Sequence, residues 1–185
     1  MAEAQPRQAP AGAAITAPVL FLDFDGVLHP DAVYRVRGQI VLRRDGVSLF
    51  EWTPHLVEAL APHPDIRIVL STSWVRVLGF NKACKRLPQA LRERVIGATW
   101  HSSMDEGEWQ TLTRFNQVIR YVHHHRVERW LAVDDDALGW FKEYHGNLVH
   151  THSEFGLALA STRKELQEKL AQLASPNGVS SEREE

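Results

Sequence analysis

Short apolar runs alternate with stretches of helical periodicity along this chain. "VLFLD", Val19 to Asp23, is apolar until Asp-Gly chemistry stops it, the pattern of a strand buried on both faces. "IRIVL", Ile66 to Leu70, and "RWLAV", Arg129 to Val133, repeat the pattern, and "NLVHT", Asn147 to Thr151, supplies a fourth strand. "VYRVR" and "QIVLRR" flank Gly38 and predict a small hairpin inserted within residues 31–52. Thr53-Pro54 reads as N-cap then first helical residue. Residues 81–95 read as short helical pieces broken at Pro88, and residues 97–110 as a loop. Phe115, Val118, Ile119 and Val122 follow the i, i+3, i+4, i+7 spacing of an amphipathic helix running from Thr113 to His125. "LGWFKEYH" predicts a short helix. Thr162 with Glu165 forms a capping-box pattern for a last helix whose apolar face is Leu166, Leu170 and Leu173.

Strands alternating with helices predict an α/β fold with a mainly parallel sheet flanked by helices. Such sheets bind ligands at the carboxyl ends of their strands. Three of the four predicted strands end in polar clusters there: Asp23 and Asp25, then Ser71, Thr72 and Ser73, then Asp134, Asp135 and Asp136. Residues far apart in the chain are thereby expected in one crevice.

Composition narrows the class. With 185 residues, 44% of them apolar, the chain suits one domain with a sizeable core. A formal charge of −2 argues against a generic nucleic-acid coating protein, which would be strongly basic. The charge is unevenly spread: residues 31–94 hold 11 Lys/Arg against 6 Asp/Glu, and residues 95–160 hold 5 against 9. Cys84 is the single cysteine, so no intrachain disulfide forms and nothing requires an oxidising compartment. Residues 1–18, rich in Ala and Pro, and residues 176–185 read as flexible tails around a domain at 19–175. No run of about 18 apolar residues exists, and a cytoplasmic location is expected.

Four or five carboxylates in one crevice cannot all stay ionised without a cation. Hard oxygen donors favour Mg²⁺, which takes one or two carboxylates, waters and substrate phosphate. The hydroxyls of Ser71, Thr72 and Ser73 suit phosphate oxygens. Arg114 sits in the first turn of its predicted helix, where a cation opposes the helix dipole and a bound anion would relieve it. His123, His124 and His125 end that helix, where positive charge is favourable; neighbours in a helix do not face one another, which argues against metal binding. His29, close behind the aspartates, has no assigned role. Trp74 fits either a core position or a base-stacking one, and Trp100 and Trp109, in the expected loop, are candidate substrate contacts.

These residues carry a resemblance. "FLDFDGVL" resembles the first motif of the haloacid dehalogenase-like (HAD) hydrolase superfamily, "IVLSTSW" its second, Arg114 its third-motif cation and "LAVDDD" its acidic fourth motif. "STSW", "TRFNQVIRYV…RWLAVDDD" and "FGLA" are similar to the small phosphatase-like domains associated with RNA-repair proteins. The resemblance implies a Rossmann-like HAD fold and a Mg²⁺-dependent phosphatase working through an aspartyl-phosphate. It implies Asp23 as nucleophile and Asp25 as proton donor and acceptor. It also implies Mg²⁺ held by Asp23, the backbone carbonyl of Asp25, and Asp134 or Asp135, with Thr72, Ser73 and Arg114 on the phosphoryl group. Ser71 remains an alternative to Thr72, and Asp136 a third candidate ligand. Within the superfamily an acid at the second aspartate's place marks phosphatase or phosphotransferase chemistry.

Roughly 45 residues separate the first two motifs, too few for a large cap. The small insertion leaves an open crevice that admits a bulky phosphorylated substrate, such as a polynucleotide end, with Arg35, Arg37, Arg43 and Arg44 within the hairpin region. The alternative is a non-catalytic domain of the same fold that binds or regulates.

Overall fold

A computed structural model describes residues 14–37 and 39–175. Residues 1–13 of the tail expected at 1–18 lie outside the described residues, as do the tail at 176–185 and Gly38. Five strands form one parallel sheet: β1 (Val19–Leu22), β4 (Arg67–Leu70), β5 (Val95–Ala98), β6 (Trp130–Asp134) and β7 (Leu148–His150), in the order β5-β4-β1-β6-β7. β2 (Val33–Val36) and β3 (Gln39–Leu42) make a separate antiparallel hairpin, as the sequence predicts. The first-made strand is the central one, pairing with β4 on one side and β6 on the other.

Side chains alternate across a strand, so β1 feeds both cores. Leu20 and Leu22 face a layer that includes Leu56 and Leu60 of α1 (Thr53–Leu60) and Leu166, Leu170 and Leu173 of α7 (Ala160–Ala174). Val19 and Phe21 face Phe115, Val118 and Val122 of α6 (Arg114–His125), which covers the opposite side. All four β1 residues are buried, which accounts for the unbroken apolar run.

The structure departs from the sequence reading in several places. β5 falls where short helices and a loop were expected. The remainder of 81–95 is indeed short helices: α3 (Phe80–Cys84), preceded by α2 (Ser73–Leu78), and α4 (Gln89–Arg92). The expected loop also contains α5 (Glu106–Thr111), capped by Asp105 and tied by Arg76 to Glu106 and Arg120 to Glu108, at 2.7 and 2.8 Å. The capping box fails: α7 begins at Ala160 with no side-chain cap, and Thr162 is buried inside its first turn. Thr53 is the first residue of α1 rather than its cap. The short helix near residue 140 is a 3-10 turn at Lys142–Asn147. The packed unit also starts before Val19: Ile15 is buried and its N–H bonds the carbonyl of His125 at 3.0 Å. No helix among the described residues is long and apolar enough to cross a membrane.

Candidate active site

Three neighbouring strands deliver the polar clusters to one place. Asp23 follows β1, Ser71 and Thr72 follow β4, and Asp134 ends β6. The ladder continues past the strands, with Asp23 N–H on Val133 O at 3.2 Å and Ser71 N–H on Leu22 O at 2.8 Å. This locks the spacing of the clusters.

Asp23 is 2% exposed and Asp134 1%, an unusual depth for carboxylates. Asp23 Oδ1 accepts the Phe24 N–H at 2.7 Å, and this bond together with the nearby Thr72 hydroxyl favours the ionised carboxylate. Arg114, the first residue of α6, spans the two buried acids. Its Nη2 donates to Asp23 Oδ2 at 3.1 Å, and its Nε lies 3.0 Å from Asp134 Oδ2. Gln117, one turn on, steadies it by accepting from Nη1 at 3.2 Å. The carboxylates thus offset the cost of a cation at a helix N-terminus. Burial opposes the charge on Arg114, but Asp23 and Asp134 outweigh it and raise its pKa above the ordinary arginine value.

One arginine does not neutralise the cluster. Asp23, Asp134 and Asp135 each place an oxygen within 4.8 Å of the others. Burial, and then the Asp25 charge, pushes Asp23 up to about 6 against the pull of Arg114. Burial and the charges of Asp23 and Asp31 raise Asp135 to about 7. Asp134 is raised well above the usual carboxylate range by burial and by Asp23. Three oxygen donors forced together at this cost form a set that a hard divalent cation fits. Asp136 is placed differently: its Oδ1 accepts Leu138 N–H at 2.8 Å in a loop-capping role.

Asp25 stands apart from that trio. Trp74 Nε1 donates to both of its carboxylate oxygens, each at 3.0 Å, and His29 Nε2 lies 3.0 Å from Oδ1. Trp74 is only 2% exposed, so it stacks on no base and packs in the core with its polar edge aimed at the crevice. Gly26, next to Asp25, has φ +65°, and a Cβ there would overlap the Asp135 carboxylate. The loop is held from behind by the chain after β7: Thr151 Oγ1 donates to Gly26 O at 2.7 Å and Leu157 N–H to Val27 O at 3.0 Å.

Thr72 caps α2, accepting from Trp74 N–H. Ser73 is exposed and lines a cleft of about 230 Å³ that runs from Thr72 and Arg114 to Trp100, Trp109 and Gln110. Ser71 is buried with its hydroxyl unpartnered. The contributions of Trp74, His29 and Gln117 are absent from the motif reading. Their only sequence signal is closeness to the first three motifs.

Comparison with known families agrees with this geometry. A family model described as the HAD domain in Swiss Army Knife RNA repair proteins matches residues 19–162. The chain belongs to this family of HAD domains. No curated protein and no solved structure gives a match.

Proposed function

We propose that the domain is a Mg²⁺-dependent phosphomonoester hydrolase that passes through an aspartyl-phosphate. The observation that carries this reading is the separation of two neighbouring carboxylates into different settings. Asp23 is buried against Arg114 within the acidic trio, while Asp25 is held apart by N–H donors. One is set for nucleophilic attack and the other for proton transfer.

In the first half-reaction an Asp23 oxygen bonds to phosphorus as the bond to the leaving oxygen breaks, and Asp25 gives that oxygen a proton. In the second, Asp25 takes a proton from a water whose oxygen attacks phosphorus, and the bond to Asp23 breaks, freeing inorganic phosphate. Thr72, Ser73 and Arg114 hold the phosphoryl oxygens and stabilise the charge that spreads onto them. Asp23, Asp134, Asp135 and the backbone carbonyl of Asp25 would hold Mg²⁺. When bound, the ion neutralises charge so that a carboxylate can approach an anionic phosphate.

The RNA-repair setting of the family, together with a cleft lined by the half-buried Trp100, supports a phosphorylated polynucleotide end as substrate. Release of phosphate from phosphorylated oligonucleotides and from p-nitrophenyl phosphate tests the reading. Asp23→Asn is expected to reduce both by a factor on the order of 10³ or more while the fold is retained. Undiminished turnover in that variant rules out Asp23 as nucleophile.

A further inference from the structure

We propose that His29 and Trp74 are positioning residues that fix the Asp25 carboxylate for proton transfer. The inference rests on the phosphatase reading and assigns work to two side chains that reading leaves idle. His29 is fully buried. Its Nδ1 accepts the Phe50 backbone N–H at 3.3 Å, and an amide has only a proton to offer. Nδ1 is therefore the bare nitrogen and Nε2 carries the hydrogen, which it donates to Asp25 Oδ1 at 3.0 Å. Trp74 Nε1–H is shared between Oδ1 and Oδ2. Oδ1 thus receives two donors, and Oδ2 keeps the greater spare capacity for the moving proton.

The rings leave this arrangement little freedom. His29 lies 4.9 Å from the Phe50 ring and 5.7 Å from Trp74, while Phe50 lies 5.2 Å from both Phe24 and Trp74, all in edge contacts. Phe50 sits at φ +63°, a left-handed conformation that is unfavourable for an ordinary residue. That strain is held where it aims one N–H at His29 and one ring at both donors, as strained residues at functional sites commonly do. A core built only for packing needs no two N–H groups converging on one half-buried carboxylate.

The test compares kcat/KM, which reports the steps through phosphorylation of the enzyme, for a 3′-phosphorylated oligonucleotide and for p-nitrophenyl phosphate. Nitrophenolate departs without needing a proton, whereas a sugar alkoxide needs one. Trp74→Phe and His29→Leu are expected to lower the oligonucleotide value about 10- to 100-fold and the nitrophenyl value much less. His29→Gln, whose amide can still donate to Asp25, should recover most of the loss. In an Asp25→Asn background, Trp74→Phe should have no further effect on either ester. Equal losses on both esters, no loss, or a Gln variant as slow as Leu with an unchanged melting temperature would overturn the assignment. A wild-type protein that hydrolyses neither ester would instead remove the phosphatase reading, and the positioning role with it.

Discussion

Gly26 sets the tightest constraint on any single residue of the site. Its positive φ and the Asp135 carboxylate at its back leave no space for a methyl group. Gly26→Ala is expected to cost at least about 1–2 kcal/mol from the backbone alone and to push Asp135 out of the acidic trio. Urea titration would register the first effect and calorimetric Mg²⁺ titration the second. The aspartate run divides by position. Asp134→Asn should weaken Mg²⁺ binding at least 10-fold, in line with loss of a direct ligand, whereas Asp136→Asn, whose amide oxygen can still accept the Leu138 N–H, should leave affinity nearly unchanged. Equal effects from the two would contradict this division. Asp23, Thr72, Arg114 and Asp134 were legible as candidates because charged or hydroxyl groups at strand and helix ends are conspicuous by pattern. The Asp25–Trp74 contact was not, because it joins residues 49 apart through packing that no periodicity encodes. His29 stood beside the motif without a partner until the Phe50 amide revealed its donor.

Elements that carry the site were easier to read than those that frame it. β1, β4 and β6 advertise themselves by apolar runs, and α6 by its spacing. β5 is four residues long and contains Gly97, too short and too small for a pattern to emerge. The glycine leaves room for the Tyr121 hydroxyl of α6, which lies where a Cβ would be. α5 lacks a stripe, burying only Trp109, and is capped by Asp105. The false capping box at Thr162 shows the opposite error: a local signature matched, but the cap position falls three residues earlier, at Leu159, and the threonine is drawn into the core. The helix that positions Arg114 does have a working cap, since Thr113 accepts from Asn116 N–H at 3.2 Å. Thr113→Ala is expected to cost about 1 kcal/mol of stability. It should also raise KM more than it lowers kcat, as the neighbouring arginine loosens its hold on phosphate. Thermal melts and steady-state kinetics on the same preparation check both effects.

For the molecule as a whole, the buried acids make stability depend on pH in an unusual direction. Asp23 and Asp135 are raised from an ordinary 3.8 to about 6 and about 7. Their contribution to folding is therefore full below about pH 4 and is lost as pH rises through 6 to 7, where both must ionise inside the protein. In Mg²⁺-free protein this should lower the melting temperature between pH 5 and pH 8. Added Mg²⁺ should restore far more stability at pH 8 than at pH 5, because it binds the ionised form. Equal stabilisation at both pH values would count against the trio as the metal site. The anchoring of the Gly26–Val27 loop by Thr151 and Leu157 also bears on how the protein comes into being. During synthesis Asp23 and Asp25 leave the ribosome before the strands beside them and the segment behind them, the last of these more than 120 residues downstream. Contacts that span so much chain form late. A nascent chain stopped before β7 should therefore hold Asp23 and Asp25 on an unsupported loop, which becomes anchored only once residues 151–157 have been made.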